Sequence, residues 1–329
     1  MTKLALSFAC WDYDRTRAIQ DGRVSPEGID LNFIPLRVEE TFYRQLRHHE
    51  FDVAELSLSS YLLTLGEAEP PFVAIPVFPS RFFRHQSIYV NTRSGISKPG
   101  DLAGKRVGTP EYQMTAGVWQ RGILADEYGV PVDSVHYFTG AIEESGRREK
   151  LPLHLPPNIS VTPIGPDENL SEMLAAGKID AIYSATQPPC FGQVDHIRHL
   201  FEDFKQVEQD YYRRTRIFPI MHTVVIKRPI YERAPWIARS LTKAFSESLE
   251  IAYSDLRERG ALKYMLPWLQ EHLSETVTAL GPRYWDYGLE PNRHVLDAFA
   301  RYSFDQGLAT RVYAARDMFA PGASDAFRV

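Results

Sequence analysis

The sequence predicts an α/β protein of two lobes, each a mostly parallel sheet flanked by helices. Three observations predict it. Strand-like and helix-like stretches alternate in a β-α-β-α-β order between Leu4 and Asn91. The stretch Ile96–Pro110 (ISKPGDLAGKRVGTP) then feeds a short strand, Lys105–Val107, through a Gly108-Thr109-Pro110 turn into a helix, which opens a second unit. A length of 329 residues suits two domains.

The elements follow in order. Leu4–Cys10 alternates Leu4, Leu6 and Phe8 and reads as a buried strand. Its apolar run is at the low limit for a secretory leader, so it is taken as the first strand of the fold, and the expected location is cytoplasmic. A short helix runs to about Gly22. Ile29–Leu36 alternates as a strand should, and Val38–Glu50 is helical, with Phe42 and Leu46 on one face. Phe51–Leu56 is a third strand running into the hydroxyl-rich Ser57–Tyr61, a helix start. Val73–Phe78 and Ser87–Asn91 are the fourth and fifth strands.

In the second unit the helix Thr115–Tyr128 is followed by strand Ser134–Phe138 and the polar loop Thr139–Lys150. Strand Ile159–Ile164, helix Leu170–Ala176 and strand Lys178–Tyr183 come next, then a helix over Asp203–Arg213. Ile217–Ile226 is the return strand. From Pro229 onward the pattern is mostly helical. Ile237, Leu241, Phe245, Leu249 and Tyr253, then Leu296, Phe299, Ala300, Phe304 and Leu308, are expected to pack on the first lobe. The expected division is 1–91 with 217–329 for the first lobe and 92–216 for the second.

Composition excludes some classes. A net charge of −5 argues against nucleic-acid binding, and no stretch is long enough to span a membrane. Cys10 and Cys190 are the two cysteines, expected as free thiols. His196 and His199 lie beside Asp195 and Cys190, but a polar helix end explains that cluster as well as zinc does, so no metal is assigned. Phosphate-loop, dinucleotide and nucleophile-elbow motifs are absent. The helical C-terminal third is either a face for a homo-oligomer or packing within one chain.

In an open α/β sheet, ligands sit at the carboxyl ends of the strands. That rule selects Trp11–Arg15, Ser57–Tyr61, Pro79–His85, Thr109–Thr115, Gly140–Lys150 and Ser184–Pro189, with His222 on the return strand. In Pro79–His85, Arg81, Arg84 and His85 flank the pair Phe82-Phe83. Two guanidinium forks in one loop suit a dianion, and a histidine can move a proton. A solvated basic loop is the commoner meaning of such a run; its place at a strand end favours function. The turn at Thr109 suits an anion or is a plain strand–helix connection. Arg147-Arg148 beside Glu143, Glu144 and Glu149 also reads as a surface ion-pair cluster. His222 is either a core histidine or an acid–base group. Ser57 and Ser59 either cap a helix or bind. Gln187 either orients a ligand hydroxyl or bends the chain. Asp14 either caps the following helix or pairs with a site arginine or histidine.

The run S-K-P-x-D-L-x-G-K-R-V-G at Ser97–Gly108, with A-x-G-K-I-D-A-I at Ala175–Ile182, resembles the second-domain entry of the type II periplasmic-binding-protein superfamily. That resemblance implies a two-lobed fold with a ligand cleft between the lobes. Over essentially the full length the chain also resembles the 4,5-dihydroxyphthalate decarboxylase family. The matching runs are Leu4–Arg15, Pro26–Phe33, Phe51–Tyr61, Ile75–Asn91 and Gly104–Ala116. The family implies cofactor-independent decarboxylation of a dihydroxylated aromatic dicarboxylate to protocatechuate, in phthalate catabolism. Each carboxylate lies para to a hydroxyl. Deprotonating that hydroxyl pushes electron density to the carbon that must be protonated before CO₂ leaves. The ring is its own electron sink, so no cofactor is needed.

On this reading Arg81, Arg84 and Arg148 hold carboxylates. Ser57, Ser59, Thr109, Thr115 and Gln187 add hydrogen bonds, and Phe82 and Tyr112 sandwich the ring. His85 or His222 exchanges the protons, with Asp14 as a pairing carboxylate. The other reading of the same fold is a non-catalytic solute-binding protein for a small carboxylate.

Overall fold

The computed structural model describes residues 2–323. The chain divides into two compact units. The first comprises residues up to Arg81, Tyr212–Asp297 and the residues from Tyr313. The second comprises Phe82–Tyr211 and Ala298–Val312.

The first unit begins β1 (Leu4–Cys10), α1 (Asp14–Gln20), β2 (Ile29–Pro35), α2 (Val38–His48), β3 (Val53–Ser57), α3 (Leu58–Thr64) and β4 (Phe72–Arg81). The second unit follows as β5 (Ile88–Asn91), β6 (Arg106–Thr109), α4 (Thr115–Tyr128), β7 (His136–Thr139), β8 (Ser160–Pro163), α5 (Leu170–Ala175), β9 (Ala181–Tyr183) and β10 (Ile197–His199). Helix α6 (Phe204–Thr215) carries the chain back to β11 (Ile220–Lys227), α7 (Arg228–Arg233), α8 (Trp236–Arg257) and α9 (Leu269–Leu280). Helix α10 (Arg293–Asp305) starts in the first unit and ends in the second.

The first sheet has the order β2-β1-β3-β11-β4. β1 is parallel to β2 and β3, and β11 runs antiparallel to β3 and β4. β1 is a central strand, and Phe8, Ala9 and Cys10 are fully buried, as a strand covered on both faces requires. Because β11 alone is reversed, its first residues lie at the carboxyl ends of its neighbours. His222 is paired with Ser57 of β3 on one side and Ser80 of β4 on the other. Helix α2 shows how local sequence sets its own limits. Glu39 and Glu40 stand in its first turn and Arg47 and His48 in its last, both favourable to the helix dipole.

The second sheet has the order β10-β5-β9-β6-β7-β8. β6, β7, β8 and β9 form its parallel part, and β5 pairs antiparallel with both β9 and β10. Its core gathers Val90, Leu102, Val107, Tyr112, Leu124, Tyr137 and Tyr183.

The structure corrects three expectations. Ile88–Asn91 is a strand of the second sheet, not the fifth strand of the first. Pro79–Arg81 continues β4 instead of opening a loop, because that strand pairs with β11 as far as Arg81. The apolar positions after Ala298 pack in the second unit. There Phe299 and Tyr302 lie against Trp119 of α4, with ring centroids 5.2 and 5.6 Å away. Gly122 makes that seat possible: a Cβ there would lie 2.2 Å from the Tyr302 ring.

Candidate active site

Glu55 is the centre of the polar cluster in the first unit. It sits in β3 between Ala54 and Leu56 and is fully buried. Burying a lone carboxylate costs several kcal/mol or more, so it must be compensated. Four donors do so. The Tyr13 hydroxyl donates to Oε1 at 2.7 Å and the Trp11 N–H to Oε2 at 3.0 Å. The Cys10 thiol reaches Oε2 at 3.5 Å, and His222 Nδ1 lies 2.6 Å from Oε1. The sheet register explains the last contact. His222 is opposite Ser57, so Glu55, two residues back, is its diagonal neighbour on the same face.

These contacts settle the charge states. Burial pushes the Glu55 carboxyl up, but the attraction of His222 and the hydrogen bonds outweigh it and hold the group below its ordinary value. An ionised Glu55 accepts, so Nδ1 of His222 carries the proton of the contact and Nε2 is the nitrogen left for other chemistry. The His222 side chain is 16% exposed, with Phe42 of α2 packed edge-on at 4.9 Å. Burial and then the charge of Glu55 push the Cys10 thiol well up, so it is a protonated donor and no thiolate nucleophile. The same two causes keep the Tyr13 hydroxyl protonated.

Other expected residues of this unit have structural partners. Ser57 caps α3, its hydroxyl accepting from the Ser60 N–H at 3.4 Å. Ser59 is buried in the first turn of α3. Asp14 pairs with Arg15 at 2.8 Å and not with a histidine. Arg81 does not present its fork: Nη1 donates to the Phe218 carbonyl, and Nη2 to the Asp286 carbonyl and Asn292 Oδ1. Burial brings its guanidinium down to about 10, against the opposing charge of Asp286.

In the second unit, Arg84 is buried over the exposed Phe82 ring and donates to the Ala185 carbonyl at 3.5 Å. Burial lowers its guanidinium to about 9, with Glu208 opposing. His85 is 1% exposed and enclosed by the rings of Tyr128, Phe201 and Tyr211. Its Nδ1 lies 4.0 Å from Glu208 Oε1. Glu208 accepts from the N–H and the side-chain amide of Gln86, both at 3.0 Å. Burial raises its carboxyl to about 7, those bonds and Arg84 opposing.

Tyr112, expected to sandwich a ring, is instead fully buried in the core. Its hydroxyl donates to the Gln306 carbonyl at 3.1 Å, and Arg121 lies over its face at 3.9 Å. The Thr109 hydroxyl donates to the Glu111 carbonyl at 3.3 Å, and Thr115 begins α4. Arg148 and Gln187 are exposed. The loop's acids and bases pair differently from expectation. Arg147 and Lys150 hold the buried Glu111, while Glu149 accepts from the Tyr112 and Gln113 backbone. His196 bonds the Ala175 carbonyl and His199 stacks with Tyr89 and Phe191, so the two do not converge as ligands. Cys10 and Cys190 are free and buried.

Sequence reasoning missed Glu55. Its signal was present: a carboxylate inside the otherwise apolar Val53-Ala54-Glu55-Leu56 needs a buried partner.

Comparisons with known proteins bear on the chain as a whole. A 4,5-dihydroxyphthalate decarboxylase from Comamonas testosteroni is 38% identical over 330 residues, covering all of both chains. One from Pseudomonas putida is 43% identical over 214 residues, covering 65% of this chain and 83% of its own. No family model matches. Among solved structures, the periplasmic sulfonate-binding protein SsuA from Methylobacillus flagellatus matches with a TM-score of 0.55 at 12% identity, covering 98% of this chain and 93% of that one. SsuA from Escherichia coli matches with a TM-score of 0.54 at 12% identity, covering 97% and 92%. These two show the fold, a periplasmic-binding-protein-like one.

Proposed function

Because the chain belongs to the 4,5-dihydroxyphthalate decarboxylase family, we propose that the Glu55–His222 pair carries the proton transfers of that reaction. The activity is that of a carboxy-lyase releasing CO₂ from 4,5-dihydroxyphthalate, and the product is then 3,4-dihydroxybenzoate.

One observation carries the assignment: the 2.6 Å contact between His222 Nδ1 and a carboxylate that is buried, ionised and held by three further donors. His222 Nε2 takes the proton from the hydroxyl para to the departing carboxylate. Glu55 stabilises the imidazolium that forms, as a buried carboxylate does for a histidine base. The phenolate pushes electrons to the carbon bearing the carboxylate, and the imidazolium gives its proton to that carbon. The carbon–carbon bond then breaks. Its electron pair restores the aromatic ring, CO₂ leaves, and the phenolate regains a proton from water. One proton is consumed per turnover.

The reading places the enzyme in the cytoplasm, where two free buried thiols suit a reducing compartment. The test is to mix the purified protein with 4,5-dihydroxyphthalate and follow CO₂ and 3,4-dihydroxybenzoate. Wild-type turnover with a loss of at least a hundredfold in His222→Ala is expected. Undiminished kcat in both His222→Ala and Glu55→Gln would remove the pair from the mechanism.

A further inference from the structure

We infer that Arg15 binds the carboxylate that the product keeps. The inference rests on the decarboxylase reading and supplies the anion anchor that reading needs. Arg15 follows the carboxyl end of β1, in the first turn of α1. Its guanidinium carbon lies 4.1 Å from the Tyr13 ring centre and 4.2 Å from that of Trp285.

Both platforms are themselves fixed. The Tyr13 hydroxyl is bound to Glu55. The Trp285 indole N–H donates to the Phe78 carbonyl at 2.9 Å, and its backbone N–H donates to the Tyr253 hydroxyl at 2.8 Å. Two hydrogen bonds then orient the guanidinium: Nε to the Pro79 carbonyl at 2.5 Å and Nη1 to Asp14 Oδ1 at 2.8 Å. Nη2 makes no hydrogen bond among the described residues. The side chain is 15% exposed. This is a cation whose ordering cost is met before any ligand arrives, with donor capacity left over.

Its neighbourhood fits the reaction. Tyr13 carries Arg15 on its face and Glu55 on its hydroxyl, so the guanidinium and the Glu55–His222 pair share one side chain. Arg81, the anchor expected from the sequence, has both terminal nitrogens committed to its own unit. Chemistry decides which carboxylate Arg15 holds. A cation on the departing group would stabilise it in the ground state and raise the barrier, whereas one on the retained group binds ground and transition states alike.

The experiment uses full-length wild type, Arg15→Met and Arg15→Lys. Calorimetry measures binding of 3,4-dihydroxybenzoate, which has the retained carboxylate, and of catechol, which has none. Steady-state assays give KM and kcat for 4,5-dihydroxyphthalate. In Arg15→Met the dissociation constant for 3,4-dihydroxybenzoate is expected to rise on the order of ten- to a hundredfold, with KM rising in parallel and kcat changing less. Arg15→Lys falls between, having charge without the fork. Catechol binding stays the same in all three. Unchanged 3,4-dihydroxybenzoate binding in Arg15→Met, or equal weakening of both ligands, overturns the assignment while wild-type turnover persists. No CO₂ from the wild type overturns the decarboxylase reading itself.

Discussion

Each unit buries a glutamate beside a histidine, and the two pairs are opposites. Glu55 has His222 at 2.6 Å and three further donors, and stays ionised below its ordinary range. Glu208 has His85 at 4.0 Å and the amides of Gln86, and its carboxyl is raised to about 7. The histidine rings differ in the same sense. His222 keeps 16% of its side chain exposed, whereas His85 keeps 1% and is walled in by three aromatic rings. Burial alone therefore does not make an acid–base pair. A carboxylate becomes a useful partner when enough donors keep it charged and the histidine retains an edge toward solvent or substrate.

The sharpest way to break this contrast is to truncate each histidine in turn. His222→Ala should lower kcat on the order of 10²- to 10⁴-fold, the usual contribution of a positioned acid–base group. His85→Ala should leave kcat within about threefold while costing about 3 kcal/mol of stability, as when a packed ring is removed. Turnover measured on folded protein, with urea unfolding alongside, separates the two. Equal losses of kcat would erase the distinction.

The next test is the sign of the pH dependence. Glu208 has a folded value near 7 against an ordinary 4.5. The folded state therefore keeps a proton that the unfolded chain releases, and the second unit loses stability as pH rises from about 4.5 to 7. Glu208→Gln should flatten that slope, which amounts to up to about 3 kcal/mol. Urea midpoints at pH 5 and 7.5 measure it. Glu55 has the opposite sign: its contribution is present above its ordinary value and is lost as pH falls below it.

Two smaller effects refine the picture. Tyr13→Phe removes one of the four donors to Glu55 and should lower kcat about tenfold, with the other three preserving the carboxylate. Tyr112→Phe removes only the bond to the Gln306 carbonyl. It should cost about 1 kcal/mol of stability with unchanged KM, because that ring packs in the core.

Much of the scaffold was legible. Alternation located β1 and β2, short apolar runs located β3 and β4, the Gly-Thr-Pro turn marked the entry to α4, and spacing by four found α8 and α10. What was not legible depends on partners distant in sequence. β5 reads as a strand, but nothing in four residues says that it joins β9 and β10 instead of the first sheet. Arg81 and Arg84 look alike in Arg81-Phe82-Phe83-Arg84, yet Arg81 is consumed by groups 137 and more residues away. Glu55 was overlooked because a short strand was read for its apolar residues and not for the one charge it could not bury alone. Arg15 lies in the selected strand end Trp11–Arg15, but nothing local singles it out, because its platform, Trp285, lies far along the chain.

The return of Ala298–Val312 to the second unit has a consequence for biosynthesis. When Tyr211 has left the ribosome, that unit still lacks the rings that cover Trp119 and fill the seat left by Gly122. The nascent chain must carry an unfinished core through nearly ninety further residues of translation before Phe299 and Tyr302 emerge to close it. That interval leaves Trp119 uncovered and Arg121 without its bond to Gln306, and it makes residues 298–312 the step that completes the second unit.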